Sequence, residues 1–255
     1  MNPKWQSKFQ LKPGKWVFVP TPQSVALGRK IKLSIEQKWT APSYYYHLRS
    51  GGHVEALRSH LNHSVFFHID IQNFFGSINK TRVTRSLKRH FAYEQAREWA
   101  KEFTVTDPTS KSNKNSIIPY GFVQSQLIAS LCLFESALGK CLDSISKNTN
   151  VAVSVYVDDI IVSSCDNALS TFIFEELKNA STRANFCLNS KKQESPSVSI
   201  TAFNINLKNQ SLRINDARMT LFAEALSNST SEHQKNGIQN YIGSVNAEQL
   251  GSLQQ

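Results

Sequence analysis

Along the chain, short apolar runs of strand type alternate with longer stripes of helical period. Residues 65–71, VFFHIDI, predict a strand by their β-branched and aromatic content. Residues 151–164, built on Val153, Val155, Val157, Ile160, Ile161 and Val162, predict another, as half of a hairpin. Val83, Leu87, Phe91 and Trp99 recur on a loose 3.6 period and predict a helix over 80–103. A buried helix is expected over 124–146, QSQLIASLCLFESALGKCLDSIS, and an amphipathic one over 168–185. Short strands at 198–206 and 211–215 precede a helix from Ala217 to Leu226 and a short polar end at 237–255. At the other end, residues 1–24 read as an extended arm rich in Pro, Lys and aromatics. YYYHLRSGGH (44–53) reads as a loop turning at Gly51-Gly52, followed by a helix from Val54 to Leu61. DPTSKSNKNS (107–116) is a polar loop. The sum is an α+β pattern, a few antiparallel strands mixed with long helices.

One detail breaks the strand pattern. Asp158 and Asp159 stand side by side within the apolar run, and Asp70 is a lone acid inside FFHIDIQNFF, 88 residues before Asp158. Buried without partners, such carboxylates cost several kcal/mol each, roughly. A divalent cation offsets that cost, and Mg²⁺ takes hard oxygen ligands while keeping room for phosphate oxygens. Carboxylates on adjacent strands that gather two such ions suit in-line phosphoryl transfer. The plainer alternative puts Asp158 and Asp159 in an exposed turn and leaves Asp70 as a cap.

Charge favours the first alternative. The 255 residues carry a formal net charge of +10, which points to a polyanionic partner, most often nucleic acid. The charge is uneven: residues 1–192 hold 25 bases and 14 acids, whereas 193–255 hold four bases and five acids. With 40% hydrophobic and 19% charged residues, the chain can bury a core. Cys132, Cys141, Cys165 and Cys187 form no CxxC pair and no zinc-type spacing with His, as expected of reduced core residues in a cytoplasmic protein. The N-terminal MNPKWQSKFQLKPGK lacks an apolar core of signal-peptide length, and no run of membrane-spanning length occurs.

Taken in order, the motifs resemble those of reverse transcriptases. YVDD (156–159) is similar to the family's hallmark, DIQNFFGSI (70–78) to its motif A, and IPYGFVQSQLIASL (118–131) to its motif B. ANFCLNSKKQ (184–193) is similar to motif D, and ITAFNINL (200–207) to the strand that grips the primer end. The resemblance spans roughly residues 25–215. HLRSGGHVEAL and the compact size resemble prokaryotic members of retron, group II intron and phage-defence type.

The resemblance implies a right-hand polymerase fold with fingers, palm and a short thumb. It divides the chain into an N-terminal arm and fingers (1–61), a palm with inserted fingers elements (62–210) and a thumb (211–255). It implies RNA-directed DNA polymerase activity with Mg²⁺, for which Mn²⁺ can substitute. Asp70 and Asp158 would bind the metals, the Ile71 carbonyl would add a ligand, and Asp159 would contribute to the same field. Phe75 would be the steric gate that selects dNTPs, with Phe74 left to packing. Tyr120, Gly121 and Gln124 would line the nucleotide site, and Ser125 with Gln124 would face the template. Tyr156 would lie under the primer end. Lys192 would act near the triphosphate as general acid, with Lys191 as competitor, and Arg29, Lys30 and Arg49 would hold the triphosphate. The implied partners are a dedicated noncoding RNA template, the DNA product and a second protein subunit or further copy of the chain, with no membrane.

Two departures widen the reading. Tyr120 replaces the Gln usual before the motif B glycine, and Gln126 replaces the Pro after the serine. Untemplated or restricted-sequence synthesis, protein-primed from a Tyr or Ser hydroxyl, therefore stays open. So does an inactive RNA-binding subunit, against which the intact carboxylates argue. The near-neutral end suggests that an RNA or protein partner supplies grip on the duplex. Trp5, Phe9, Trp16 and Phe18 offer stacking surfaces for RNA, though packing is the favoured role of that arm.

Overall fold

The computed structural model describes residues 3–110 and 115–252, so the first two residues of the arm, part of the 107–116 loop and the last three residues lie outside it. The arm is a hairpin, β1 (Trp5–Lys12) and β2 (Lys15–Pro20), turning at Gly14. A helix that sequence reading missed follows, α1 (Pro22–Glu36), started by Thr21 capping Ser24 and by Pro22 at its first position. Then come α2 (Gly52–Arg58), β3 (Val65–Asp70), α3 (Lys80–Leu87) and α4 (Tyr93–Phe103). β4 (Val105–Thr106) and β5 (Ser116–Ile117) form a small ladder. They lead to α5 (Ser125–Phe134), α6 (Ala137–Ile145), β6 (Val151–Tyr156), β7 (Asp159–Ser164) and α7 (Asn167–Arg183). The chain continues through β8 (Glu194–Ser197), β9 (Ser199–Ala202), β10 (Ile205–Lys208) and β11 (Ser211–Ile214). It closes with α8 (Asp216–Asn228), α9 (Glu232–Val245) and α10 (Ala247–Ser252).

The α+β expectation holds, with four local corrections. The expected helix over 80–103 is two helices, and the expected helix over 124–146 breaks at Glu135-Ser136. There the Ser136 side chain caps Gly139, and a Cβ on Gly139 would fall 2.0 Å from the Leu133 carbonyl, so only glycine lets α6 turn back on α5. The single strand over 198–206 is a hairpin turning at Phe203-Asn204, both at positive φ. The polar end is α9 and α10, which escaped notice because their apolar faces are narrow: Ile242 and Val245 are the residues α9 buries.

The central sheet runs β6-β7-β3-β8, all antiparallel. β3 is buried along its whole length, which explains its unbroken apolar run. Its main core joins Phe67, Ile69, Val153, Val155, Ile160 and Val162 to α1, α5, α6 and α7. A second cluster collects Val54, Leu57, Phe66 and Ile161 with Ile200, Ile205, Leu212, Phe222 and Ile242. It binds the β9-β10-β11 sheet to α8 and α9. A third cluster holds Phe18, Val105 and Phe122 with Trp5 and Trp16, so these rings of the arm pack while Phe9 stays exposed. Among the described residues no helix is long and apolar enough to cross a membrane.

Candidate active site

β3 ends on Asp70, and the register of the sheet sets it opposite Asp159, the first residue of β7. The β6–β7 turn is therefore delivered to the end of β3. It is Val157 and Asp158, with Val157 at φ 62, a conformation that a β-branched residue adopts only when its surroundings impose it. Two contacts do so. The Ile71 N–H donates to the Asp158 carbonyl at 2.9 Å, and the Val157 N–H donates to His47 Nδ1 at 3.0 Å. Nδ1 lies 3.0 Å from the Val157 N–H and 3.3 Å from the Val155 carbonyl; the shorter contact favours an accepting Nδ1, which puts the proton on Nε2 for Ser130 Oγ at 2.6 Å. The Ser130 hydroxyl passes its own proton to the Gln126 carbonyl at 2.8 Å. Burial pushes the His47 pKa down to about 4, so the ring stays neutral and keeps this bonding. His47 lies within the HLRSGGH stretch, but no spacing rule marks it as a brace.

The carboxylates are treated differently from one another. Asp70 is 2% exposed, and Lys192 Nζ donates to its Oδ2 at 2.6 Å. Burial, then the neighbouring Asp159, pushes Asp158 up to about 6. Asp159 accepts from His68 Nε2 at 2.8 Å, a partner that sequence reading missed. The signal was there: His68 is two residues before Asp70, on the same face of β3. Lys192, not Lys191, reaches the carboxylates, and the hydrogen bond to Asp70 raises its pKa. It gets there because the Asn189 N–H donates to the Asp70 carbonyl at 2.9 Å, tying the two segments together.

Among the described residues no group of three or more His, Cys, Asp or Glu side chains is close enough to hold a metal ion by itself. The donor chemistry still suits a hard divalent cation. Two carboxylates sit within each other's field, Asp70 buried and Asp158 driven toward its protonated form by burial and by the neighbouring Asp159.

Beside the acids lies an aromatic floor. Phe75, 4% exposed, stacks on Tyr120 with ring centroids 4.6 Å apart. Asp158 and Asp70 add to the burial that pushes Tyr120 up to about 12. Over the Tyr120 ring stands Lys15 Nζ, 4.3 Å from its centroid, a cation from the β1–β2 hairpin that sequence reading did not single out. Tyr156 packs among His47, His53 and Phe203, the last at 5.4 Å from the hairpin tip.

Other expected residues sit elsewhere. Ser125 is buried and donates to the Pro119 carbonyl at 2.6 Å, so its hydroxyl holds the motif B loop. Gln124 is buried too, and a Cβ on Gly28 would meet its Oε1 at 2.3 Å, so it packs under α1. Arg29 and Lys30 are exposed on α1, with no contact to the carboxylates among the described residues. Arg49 is tied to the Ser43 carbonyl and lies over Tyr46. Gly121 has a structural cause: at φ +101, a Cβ would fall 2.2 Å from the Phe18 carbonyl. The close approach lets Phe18 N–H donate to the Tyr120 carbonyl at 2.9 Å. Gly121→Ala should therefore lose roughly 2 kcal/mol or more of stability in urea unfolding; an unchanged midpoint would contradict this packing.

The chain belongs to the reverse transcriptase (RNA-dependent DNA polymerase) family, whose profile matches residues 8–229. Among solved structures, its fold is similar to Candida albicans telomerase in complex with a fragment of telomeric RNA (TM-score 0.55, 9% identity, 91% of this chain and 47% of that one). It is also similar to the foamy viral protease-reverse transcriptase in complex with RNA/DNA hybrid (TM-score 0.50, 16% identity, 91% of this chain and 26% of that one). These likenesses establish a right-hand polymerase fold. The chain spans less than half the length of either structure. No curated protein matches it.

Proposed function

We propose that this chain is an RNA-directed DNA polymerase that extends a primer with dNTPs on an RNA template. The observation that carries the reading is the gathering of Asp70, Asp158 and Lys192 at one end of the central sheet, beside the Phe75–Tyr120 floor. Asp70 and Asp158, with the Ile71 carbonyl, would hold Mg²⁺ or Mn²⁺. The ion would supply charge neutralisation on the triphosphate and a lowered pKa for the attacking hydroxyl.

The residues do the rest. Phe75 and Tyr120 would support the sugar, and the Phe75 ring would exclude a 2′-hydroxyl. Tyr156, wedged against Phe203, supports the primer end, whose 3′-hydroxyl attacks the α-phosphate in line. The bond to the β-phosphate breaks, and Lys192 gives its proton to the departing pyrophosphate. Lys15 and the surface cations of α1 are the candidates for holding the triphosphate. His47 and His68 orient the turn and Asp159. Lys192→Met should lower kcat on the order of 10²-fold with little change in KM for primer–template, as single-turnover extension would show; an unaltered kcat would remove Lys192 from the proton transfer.

In this reading residues 1–61 serve as arm and fingers, 62–210 as palm and 211–255 as thumb. The HLRSGGHVEAL stretch supports a prokaryotic type acting in the cytoplasm on a dedicated noncoding RNA, with antiphage defence the role that resemblance favours. Few cations in the last 63 residues support a partner subunit or further copy that adds grip. Sequencing the nucleic acid that co-purifies with the protein, and the DNA it makes from dNTPs, tests this. One enriched RNA with complementary DNA is expected. Low-complexity DNA unrelated to any bound RNA would favour untemplated synthesis instead, the reading that Tyr120 in place of Gln keeps in view.

A further inference from the structure

A second set of cations lies outside the catalytic cleft. A hollow of about 460 Å³ is lined by Lys80, Arg85, Lys88 and Arg97, with Thr81, Thr84 and Tyr93, and by no acidic residue. Beside it a pocket of about 270 Å³ is lined by Arg82, Arg85, Arg89 and Arg183, with Glu135 as its one carboxylate. Arg85 belongs to both, so the two form one continuous surface on α3, α4 and the end of α7. Neither includes Asp70, Asp158, Phe75, Tyr120 or Lys192.

These charges are not balanced within the chain. Among the described residues only Arg89 has an ion pair, to Glu135 at 2.8 Å. Arg82 is anchored from below: it stacks on Phe186 at 4.3 Å and donates to the Ala184 carbonyl at 2.6 Å, while its Nη1 is buried with no partner among the described residues. Six like charges held this close without counter-ions are a cost to the folded state unless an anion covers them. α4 sorts its side chains to the same end. Tyr93, Arg97 and Lys101 recur every four residues on one stripe, and Glu94, Glu98 and Glu102 on the next, so the acids are turned off the hollow's lining.

We propose that this surface binds the RNA at a point outside the polymerase cleft, through backbone phosphates and one unpaired base. Lys80, Arg85, Lys88, Arg97 and Arg183 supply the charge, and the Thr81 hydroxyl donates to a phosphate oxygen. Tyr93 is 55% exposed at the rim and stacks on the base. An acidic protein surface would satisfy the charges but leaves the exposed ring and the absence of aliphatic lining unexplained. The inference rests on the reading of the chain as an RNA-using polymerase, yet it concerns holding the RNA and not copying it.

The test uses the triple variant Arg85→Gln/Lys88→Gln/Arg97→Gln and, separately, Tyr93→Ala. All four side chains are exposed and Arg82 is left intact, so folding, checked by thermal melting, is retained. Binding is measured across a salt series with an RNA hairpin carrying a single-stranded tail. Extension of a short primer–template at saturating concentration is measured beside it. The triple variant should reduce the salt slope for the RNA by about 2–3, and Tyr93→Ala should weaken binding about tenfold without changing the slope. Extension should remain within about twofold of wild type. An unaltered slope would overturn the proposal, as would displacement of the RNA by polyglutamate at matched charge. A parallel loss of extension would overturn it too, by returning the surface to the cleft. Absence of extension in the wild type itself would instead count against the polymerase reading and leave the binding result to stand.

Discussion

Asp158→Asn should abolish nucleotide addition, by roughly 10³-fold or more, and at the same time stabilise the metal-free protein above pH 6. The two effects share one cause. Burial and the neighbouring Asp159 push the Asp158 pKa from 3.8 up to about 6. The folded state thus holds this proton more tightly than the unfolded chain does. The stability so gained is fully present below pH about 4, fades as pH rises through 4 to 6, and is gone above that. Asn cannot ionise, so the variant should keep that stability across the window, a difference of about 1–3 kcal/mol at neutral pH. Mg²⁺ should raise the Tm of wild type and leave that of the variant nearly unmoved. Thermal melts at pH 4 and pH 7.5, with and without Mg²⁺, check this. A variant less stable than wild type at pH 7.5 would mean that Asp158 is satisfied within the chain and is not waiting for a cation.

Phe75→Val should open the site to ribonucleotides, lowering the preference for dNTP over rNTP by about 10–100-fold. Phe75 packs on Tyr120 and Phe74, so truncation also costs roughly 2–4 kcal/mol of stability. The ratio of kcat/KM for the two nucleotides separates the effects, since a loss of folded enzyme scales both equally. A preference unchanged in a folded variant would leave Phe75 as a core residue and place the sugar elsewhere.

Much of this site was legible because its chemistry conflicts with its local pattern. A carboxylate in an apolar strand is conspicuous, and Asp70 and Asp158 were found that way. Lys192 followed from resemblance, and the structure chose it over Lys191 by its hydrogen bond to Asp70. What escaped was whatever depends on a partner distant in sequence. His47 braces Val157 across 110 residues, His68 holds Asp159 across 91, and Lys15 covers Tyr120 from a separate hairpin. Each is an unremarkable residue until the chain is closed. Ser125 and Gln124 are the opposite case: a motif position suggested a surface role, while Ser125 bonds inside the loop and Gln124 packs under α1. In the fold, the strands were plain because β-branched runs are dense. Helix ends were missed where one side-chain cap or one glycine, as at Ser136 and Gly139, decides the break. The helices after α8 were missed because so little of each is buried: Ile242 and Val245 on α9 and Gln249 on α10.

The most direct test of the central claim is extension of a primer annealed to an RNA of mixed sequence, with dNTPs and Mg²⁺, and sequencing of the product. Wild type should make DNA complementary to the RNA, and Asp70→Asn should make none. Product whose sequence ignores the RNA, or equal product from the Asp70 variant, would contradict the account.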